Sequence, residues 1–413
     1  MMKSQFNSPT IKALFWLAAV CCSSYITCAV AHDEQTIQPV PHQRLLLRAA
    51  RVFDGTALIK DGEVLITDNL IEAVGKSHSL ESQGAVVFEL GDSTILPGLI
   101  ELHSHIDFRK IPQATILRHG ITTARDVGGR LLPLSGGNGT LRLLTAGAIL
   151  TAVNGYPIPT FGKTEVATEV KNPEQARALV RQFIAGGAAV IKVALETGEE
   201  HGAPWAGEHG HGHTAHSPKP WALLSLEILT AITDETHKLG KRVSAHLGEN
   251  TGVRLALEAG VDEWAHIPCE IISEALLKQA AAQKVTVIPT FDTLSHCAGL
   301  QHNAHILAKA GTQFLYGAEL AHPDIPWGID AQELLFMQQF TGMTSLQVLQ
   351  AATAKSGAYL GLSPLGTLTA TAPADIIVVQ GNPLDDFKPL EYPDLVISGG
   401  KIILNHYQDA KAF

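Results

Sequence analysis

The sequence predicts an α/β fold: a (β/α)8 TIM-type barrel with a small β-sandwich domain formed by both chain ends. The middle of the chain alternates eight short apolar stretches with amphipathic helical stretches, the pattern of a parallel sheet with crossover helices. Both ends instead consist of short strand-like segments separated by Asp and Gly turns, without helical periodicity. We therefore assign residues 32–92 plus 366–413 to the β-sandwich domain and residues 93–365 to the barrel.

Residues 1–31 read as a secretory signal peptide. Lys3 and Lys12 precede a short apolar run, and an Ala-x-Ala cleavage site ends at Ala31. The run is too short to cross a bilayer comfortably, although lipid attachment at Cys21 or Cys28 is an alternative. We expect a periplasmic or secreted protein without a stable membrane anchor.

Composition narrows the class of partner. The 413 residues are 46% hydrophobic and 17% charged, with a formal net charge of −10, so the chain is globular and acidic. An acidic chain disfavours nucleic acid as a partner, and we expect a small-molecule substrate. Only Cys269 and Cys297 lie beyond the signal peptide. They either pair in an oxidising compartment or fill the core as small side chains.

Eight strand candidates define the predicted barrel. Amphipathic helical stretches over residues 173–185, 226–239 and 273–283 separate several of them. The strand candidates are residues 96–103, 121–127, 141–150, 189–195, 242–247, 261–266, 285–290 and 314–320.

Two histidines follow the first of these strands. His103 and His105 are spaced i, i+2, and alternate side chains of a strand lie on the same face. Imidazole is a good zinc ligand, and enzymes built on a (β/α)8 barrel have their active sites at the carboxyl ends of the barrel strands. We predict a metal site here, with two hydrogen-bonded histidines at a turn as the alternative.

Further strands carry metal-capable residues. Lys192 lies in the fourth strand, His246 ends the fifth, His266 the sixth and Glu319 the eighth. A buried ammonium group is costly unless it is paired or neutral, and burial lowers the pKa of lysine. The neutral amine can react with carbon dioxide to give a carbamate that bridges two cations. The alternative is a lysine whose head group reaches solvent. Each histidine alone is more simply a hydrogen-bonded core residue, but together with His103, His105 and Lys192 we predict ligation.

Several segments resemble the metal-dependent amidohydrolase superfamily. The most similar branch contains imidazolonepropionase-like and prolidase-like (Xaa-Pro or Xaa-Arg dipeptidase) enzymes, and the resemblance runs from about Leu45 to Leu404. The segments that carry it are Pro97-Gly-Leu-Ile-Glu-Leu-His-Ser-His105, His119-Gly-Ile-Thr-Thr-Ala-Arg-Asp-Val-Gly-Gly129, Ile191-Lys-Val193, Ala245-His246, Ala259-Gly-Val-Asp-Glu-Trp-Ala-His266, Ala351-Ala-Thr-Ala-Lys-Ser-Gly-Ala-Tyr-Leu-Gly-Leu362 and Ala374-Asp-Ile-Ile-Val-Val-Gln-Gly-Asn-Pro-Leu384.

The resemblance implies a binuclear centre of two divalent metals, expected to be zinc ions. His103 and His105 would bind one ion, His246 and His266 the other, and a carbamate on Lys192 would bridge them. A hydroxide shared by the ions would then attack the substrate carbonyl.

The resemblance also implies a carboxylate on the eighth strand that moves a proton to the leaving nitrogen. The family usually has Gly-Thr-Asp there, whereas this chain has Gly317-Ala318-Glu319. Glutamate retains the acid-base group with one additional methylene, so Glu319 is the predicted catalytic residue.

A histidine-rich segment follows the lysine strand. Five histidines lie among glycines from His201 to His216, four of them clustered at the end of the segment, so the segment is either an accessory metal site, a lid over the active site or a plain solvated loop. The four clustered histidines are His209, His211, His213 and His216.

The sequence therefore predicts an exported metal-dependent hydrolase that cleaves a C–N amide bond in a small substrate, either a dipeptide or an N-acyl amino acid. One alternative is lactone or cyclic-amide hydrolysis at the same site, because the same nucleophile attacks any activated carbonyl. A second alternative is a metal-binding protein without catalytic activity, motivated by Glu319 and the histidine-rich segment.

Overall fold

A computed structural model describes residues 43–205 and 220–407. The predicted signal peptide and the four clustered histidines lie outside these residues. The described strands, in chain order, are β1 (Arg44–Phe53), β2 (Leu58–Thr67), β3 (Leu70–Lys76), β4 (Val86–Glu89), β5 (Ser93–Pro97), β6 (Leu99–Ser104), β7 (Ile121–Asp126), β8 (Arg142–Thr145), β9 (Ile149–Thr151), β10 (Ala167–Glu169), β11 (Ile191–Leu195), β12 (Val243–Leu247), β13 (Glu263–Trp264), β14 (Thr286–Val287), β15 (Gln313–Phe314), β16 (Ile376–Gln380), β17 (Leu395–Ser398) and β18 (Lys401–Asn405).

The helices lie mostly between the strands of the middle region. In the described part of the chain they are α1 (Ile106–Arg109), α2 (Gln113–Arg118), α3 (Ile158–Phe161), α4 (Pro173–Ala185), α5 (Leu226–Lys238), α6 (Asn250–Ala259), α7 (Glu274–Ala282), α8 (Leu300–Lys309), α9 (Ala331–Thr341), α10 (Ser345–Ala352) and α11 (Ala354–Tyr359), with a 3-10 turn at Lys388–Glu391. Within residues 43–205 and 220–407, no helix combines the length and the apolar character needed to cross a membrane.

Both ends of the chain meet in one eight-stranded sheet. Its order is β18-β17-β16-β5-β1-β2-β3, with β4 also paired to β1. Strand β16, the first of the three strands near the C-terminus, runs antiparallel to β5, with Ile376 opposite Pro97. Leu47, Ile66 and Ile376 belong to one buried cluster on this sheet, so apolar burial holds the two ends together. The predicted association of both ends in β-structure is present, and the division into two layers of a sandwich remains a prediction.

The middle of the chain forms parallel sheets covered by helices. One sheet has the order β10-β9-β11-β12-β13-β14-β15 and another the order β6-β7-β8, and every pair within them is parallel. Because parallel neighbours need crossover connections, helices such as α4 and α5 lie between them. The predicted α/β fold is confirmed.

The apolar stretch predicted as a single strand over residues 96–103 is divided at Gly98. Its first half, β5, belongs to the eight-stranded sheet, and its second half, β6, pairs with β7. A Cβ atom at Gly98 would lie 2.1 Å from Cγ2 of Thr122, so only glycine allows this close approach to β7. The change of sheet at Gly98 brings His103 and His105 to the end of a short parallel strand.

The last three parallel strands are shorter than predicted. Strands β13, β14 and β15 have two residues each. His266 therefore lies in the segment after β13, and Glu319 lies in the segment after β15. The backbone of Glu319 has left the extended conformation altogether, with a φ of +63°.

A buried ion pair crosses the interior between β7 and β13. Arg125 on β7 donates two hydrogen bonds to the Glu263 carboxylate on β13, at 3.0 and 2.7 Å. The same guanidinium donates to the carbonyl of Leu102, which precedes His103. Arg125 is 3% exposed and Glu263 is fully buried, so neither charged group is solvated by water.

We expect Glu263→Gln to lower the free energy of unfolding by about 3–5 kcal/mol, because it leaves the Arg125 charge buried without its counter-charge. The control is Glu274→Gln, which removes an exposed i, i+4 pair with Lys278 and should cost about 0.5 kcal/mol or less. Chemical denaturation measures both variants. Equal losses in the two variants would contradict the importance of the buried pair.

Candidate metal centre

His103 lies at the end of β6 with one ring nitrogen fixed. Its Nδ1 donates to the carbonyl of Ala265 at 2.7 Å, because a carbonyl only accepts and the nitrogen must carry the proton. The lone pair of the neutral ring is then on Nε2, which is buried and has no hydrogen-bond partner among the described residues. The His105 ring follows two residues later, with its centroid 5.3 Å from the His103 ring.

His266 and His246 complete the group of imidazoles. The centroid of the His266 ring is 4.6 Å from that of His103 and 4.5 Å from that of His246. Nδ1 of His266 is hydrogen-bonded to the Thr290 hydroxyl at 2.8 Å. The Nε2 atoms of His246 and His266 are buried, and neither has a hydrogen-bond partner in the described part of the chain.

All four imidazoles are neutral at neutral pH. Burial lowers the pKa of His103, His246 and His266 well below the ordinary value and lowers that of His105 to about 3. The nearby positive charge of Lys192 lowers these pKa values further. A neutral imidazole has a lone pair to offer, which is the state that binds a metal ion.

Lys192 is among the largest fully buried side chains of the described residues. It lies on β11 and is 1% exposed, so its head group does not reach solvent. Burial lowers the pKa of Lys192 to about 7, although the negative charges of Glu263 and Glu319 oppose this change. Its Nζ has no hydrogen-bond partner among the described residues. The amine is therefore partly neutral at neutral pH.

Glu319 brings a carboxylate to the histidines. Its Oε1 is 3.7 Å from Nε2 of His105, and its Oε2 is 4.0 Å from Nδ1 of His266. Ligand atoms of His103, His266 and Glu319 all lie within 4.8 Å of one another. Burial raises the pKa of Glu319 to about 7, with the positive charge of Lys192 opposing this change.

The backbone around Glu319 is held in an uncommon conformation. A positive φ costs a residue with a side chain about 1 kcal/mol or more, and such strain is concentrated at functional sites. Glu101 fixes the neighbouring segments: its carboxylate accepts from the backbone N–H of His103 at 2.6 Å and of Ala318 at 3.1 Å. One buried carboxylate thus aligns the end of β6 with the segment that follows β15.

The comparisons with known proteins agree with this geometry. The sequence profile of the amidohydrolase family matches residues 94–403. The chain belongs to the amidohydrolase family. This confirms the predicted resemblance and assigns the chain to a family of hydrolases.

Two amidohydrolase relatives illustrate the similarity. An ochratoxinase from Aspergillus niger is 28% identical over 299 residues, which are 66% of this chain and 58% of that protein. The chain therefore spans less than two thirds of the curated relative it matches. The crystal structure of A. niger ochratoxinase has a TM-score of 0.69 at 20% identity, covering 90% of this chain and 99% of that one. A Xaa-Pro dipeptidase with methionine bound in its active site has a TM-score of 0.67 at 20% identity, covering 87% and 99%. At these identities the structures demonstrate a shared fold.

The residues of this amidohydrolase fit a divalent metal ion. Three buried imidazole nitrogens without partners and a neighbouring carboxylate are the donor types that zinc prefers. Buried polar atoms without partners cost free energy, and a bound cation would supply the missing interaction. Of the predicted ligands, His103, His105 and His266 lie around Glu319, and His246 adjoins His266.

Two features of the site were not predicted. The ring of Tyr156 stacks on His246 with centroids 4.4 Å apart, and the Trp205 ring packs edge-on against it at 4.3 Å. Glu196, a buried carboxylate after β11, lies 3.5 Å from Nε2 of His246. The sequence signal for Glu196 was its spacing of four residues from Lys192, because residues separated by an even number in an extended segment share a face.

Cys269 and Cys297 form a disulfide, which decides between the two roles considered for them. Cys269 follows His266 by three residues, and Cys297 lies in the segment after β14. The bond therefore links the loops that follow β13 and β14.

Proposed function

We propose that this chain is an exported, metal-dependent amidohydrolase that cleaves a C–N amide bond in a small substrate, a dipeptide or an N-acyl amino acid. One observation carries the proposal: buried neutral imidazoles with free lone pairs surround a carboxylate, Glu319, whose pKa is raised to about 7. This combination provides metal ligands and an acid-base group in one place.

The proposed ligands follow the family pattern. His103 and His105 would hold one zinc ion, and His246 and His266 a second. Lys192 would lie between them as a carbamate, formed when its neutral amine adds to carbon dioxide and releases one proton. When bound, the ions lower the pKa of water and polarise a carbonyl group.

Glu319 performs the proton transfers. With a pKa of about 7, its carboxylate and acid forms are both populated at neutral pH, so it can accept a proton from the attacking water and then donate it. The leaving nitrogen needs that proton, because an amide anion is a poor leaving group. A group whose pKa lies near the working pH does both steps well.

The proposed barrel closes around this site. Two backbone hydrogen bonds connect the two parallel sheets: Ala189, just before β11, donates to Thr145 on β8 at 2.8 Å, and Leu320, in the segment after β15, donates to His103 on β6 at 3.0 Å. These bonds lie at opposite edges of the three-stranded sheet, so they support a closed (β/α)8 barrel with the histidines at the carboxyl ends of its strands. We propose that the eight-stranded sheet curls into the accompanying β-sandwich.

Substrate class and location rest on separate observations. The similar proteins include a Xaa-Pro dipeptidase and an ochratoxinase, which favours a small amide substrate. The signal-like N-terminus and the Cys269–Cys297 disulfide both favour an oxidising compartment outside the cytosol. We therefore propose that the protein acts in the periplasm or after secretion.

A substrate panel tests this function. The zinc-loaded chain, assayed on dipeptides, N-acyl amino acids, lactones and cyclic amides, should release amines from one of the first two groups with saturable kinetics. Turnover confined to lactones or cyclic amides would favour the same-site alternative. Tight zinc binding without turnover on any member would favour a non-catalytic metal-binding protein.

A further inference from the structure

A second group of buried acidic side chains lies beside His246. Glu196 follows β11 directly, and Glu200 lies four residues later in the same segment. Each residue is 1% exposed. The two carboxyl groups are hydrogen-bonded to each other, and no other residue within 43–205 and 220–407 bonds to Oε2 of Glu196 or to the carboxylate oxygens of Glu200. The described residues also offer no lysine or arginine within ion-pair distance of either group.

The Glu196 carboxyl group faces a ring nitrogen of His246. Oε2 of Glu196 lies 3.5 Å from Nε2 of His246, and that nitrogen makes no hydrogen bond to any described residue. Two ligand atoms that bind one tetrahedral zinc ion at about 2.1 Å are separated by about 3.4 Å. The observed separation is therefore that of two ligands of the same cation.

Gly248 makes room for both carboxylates. A Cβ atom at this position would lie 2.9 Å from Oε1 of Glu200 and 3.1 Å from Oε2 of Glu196. The two carboxylate oxygens thus converge on one point, two residues after His246. Two buried carboxyl groups this close cannot both be charged without a counter-charge. Burial raises the pKa of both, and they share a proton, which a cation between them and His246 would replace.

We propose that Glu196 is a ligand of the cation held by His246, with Glu200 as a second carboxylate beside it. Glu196 would thereby add a carboxylate donor to the second ion, which His246 and His266 are proposed to hold. The inference rests on the proposed function only in assuming that the chain binds metal. It assigns a cation-binding role to residues that the family resemblance leaves unassigned.

Zinc titration of the metal-free protein tests the inference without any assay of turnover. Wild type should bind two equivalents, whereas Glu196→Gln should bind one equivalent normally and the second with affinity reduced by about tenfold or more. Glu199→Gln is the matched control, because Glu199 is an exposed carboxylate in the same segment. It should bind both equivalents as wild type does.

Thermal unfolding provides a readout that separates ligation from misfolding. Metal-free Glu196→Gln should unfold at the wild-type temperature or above, because its side-chain amide can donate to the Glu200 carboxylate and leaves no buried group unpaired. The zinc-induced rise in the unfolding temperature should be smaller in this variant than in wild type. Glu196→Asp, which retains a carboxylate, should recover part of the lost zinc affinity.

Wild-type zinc affinity for both equivalents in Glu196→Gln would overturn the inference. A rise in KM confined to substrates with a free ammonium group would then assign the carboxylates to substrate binding instead. A wild-type chain that binds no zinc would contradict the proposed function itself, so the two failures are distinguishable.

Discussion

Replacing Lys192 with alanine should abolish most zinc binding and most amide hydrolysis. Lys192 is buried among the four histidines, and burial lowers its pKa to about 7, so its neutral amine is available to form the bridging carbamate. Loss of the bridge removes one ligand from each ion. We expect zinc affinity to fall by more than about 100-fold, because mutation of residues that only hydrogen-bond to metal ligands already lowers metal affinity by about 10–100-fold. Zinc content and kcat/KM measure the two effects.

Two comparisons make the Lys192 result specific. Added acetate or propionate should restore part of the activity of Lys192→Ala, because a short carboxylate can occupy the bridging position. Lys278→Ala, which removes an exposed lysine on α7, should leave zinc content and rate unchanged. Full zinc content and full rate in Lys192→Ala would show that the carbamate assignment is wrong.

Glu319→Gln should lower kcat by roughly 10²–10⁴-fold, the range for a positioned acid-base group. The amide side chain has nearly the same shape as the carboxylate, so the variant should remain folded. In wild type, kcat/KM should fall as the pH falls through about 7, because protonation of Glu319 removes the form that accepts a proton. This acidic limb should be absent from the pH profile of the Gln variant.

Glu319→Asp is the conservative control, since it retains the carboxylate and restores the residue usual in the family. Its rate should lie much closer to wild type than that of Glu319→Gln. Equal activity of wild type and Glu319→Gln would show that another group carries the proton, and Asp324 in the following loop would then be the next candidate.

Local sequence pattern predicted several of the residues that the structure brings together in the candidate centre. Strand alternation predicts that His103 and His105 share a face, and the cost of burying an ammonium group marks Lys192 as unusual. The structure places both histidines beside Glu319 and buries Lys192 among them. These features depend on spacing and on the cost of burial, which are readable from one sequence.

Other features depend on contacts between distant segments and could not be predicted in this way. The division at Gly98 is set by its approach to Thr122 on the neighbouring strand. The pairing of Cys269 with Cys297 depends on how two loops meet. Glu196 becomes a candidate ligand only because His246, on another strand, lies 3.5 Å from it. No local periodicity encodes these distances.

The most direct test of the account is metal removal and restoration in the amide-hydrolysis assay. Purified protein treated with a chelator and dialysed should lose turnover of its best dipeptide or N-acyl amino acid substrate. Two equivalents of zinc with bicarbonate, as the source of carbon dioxide for Lys192, should restore it. Undiminished amide hydrolysis by protein shown to contain no metal would contradict the account.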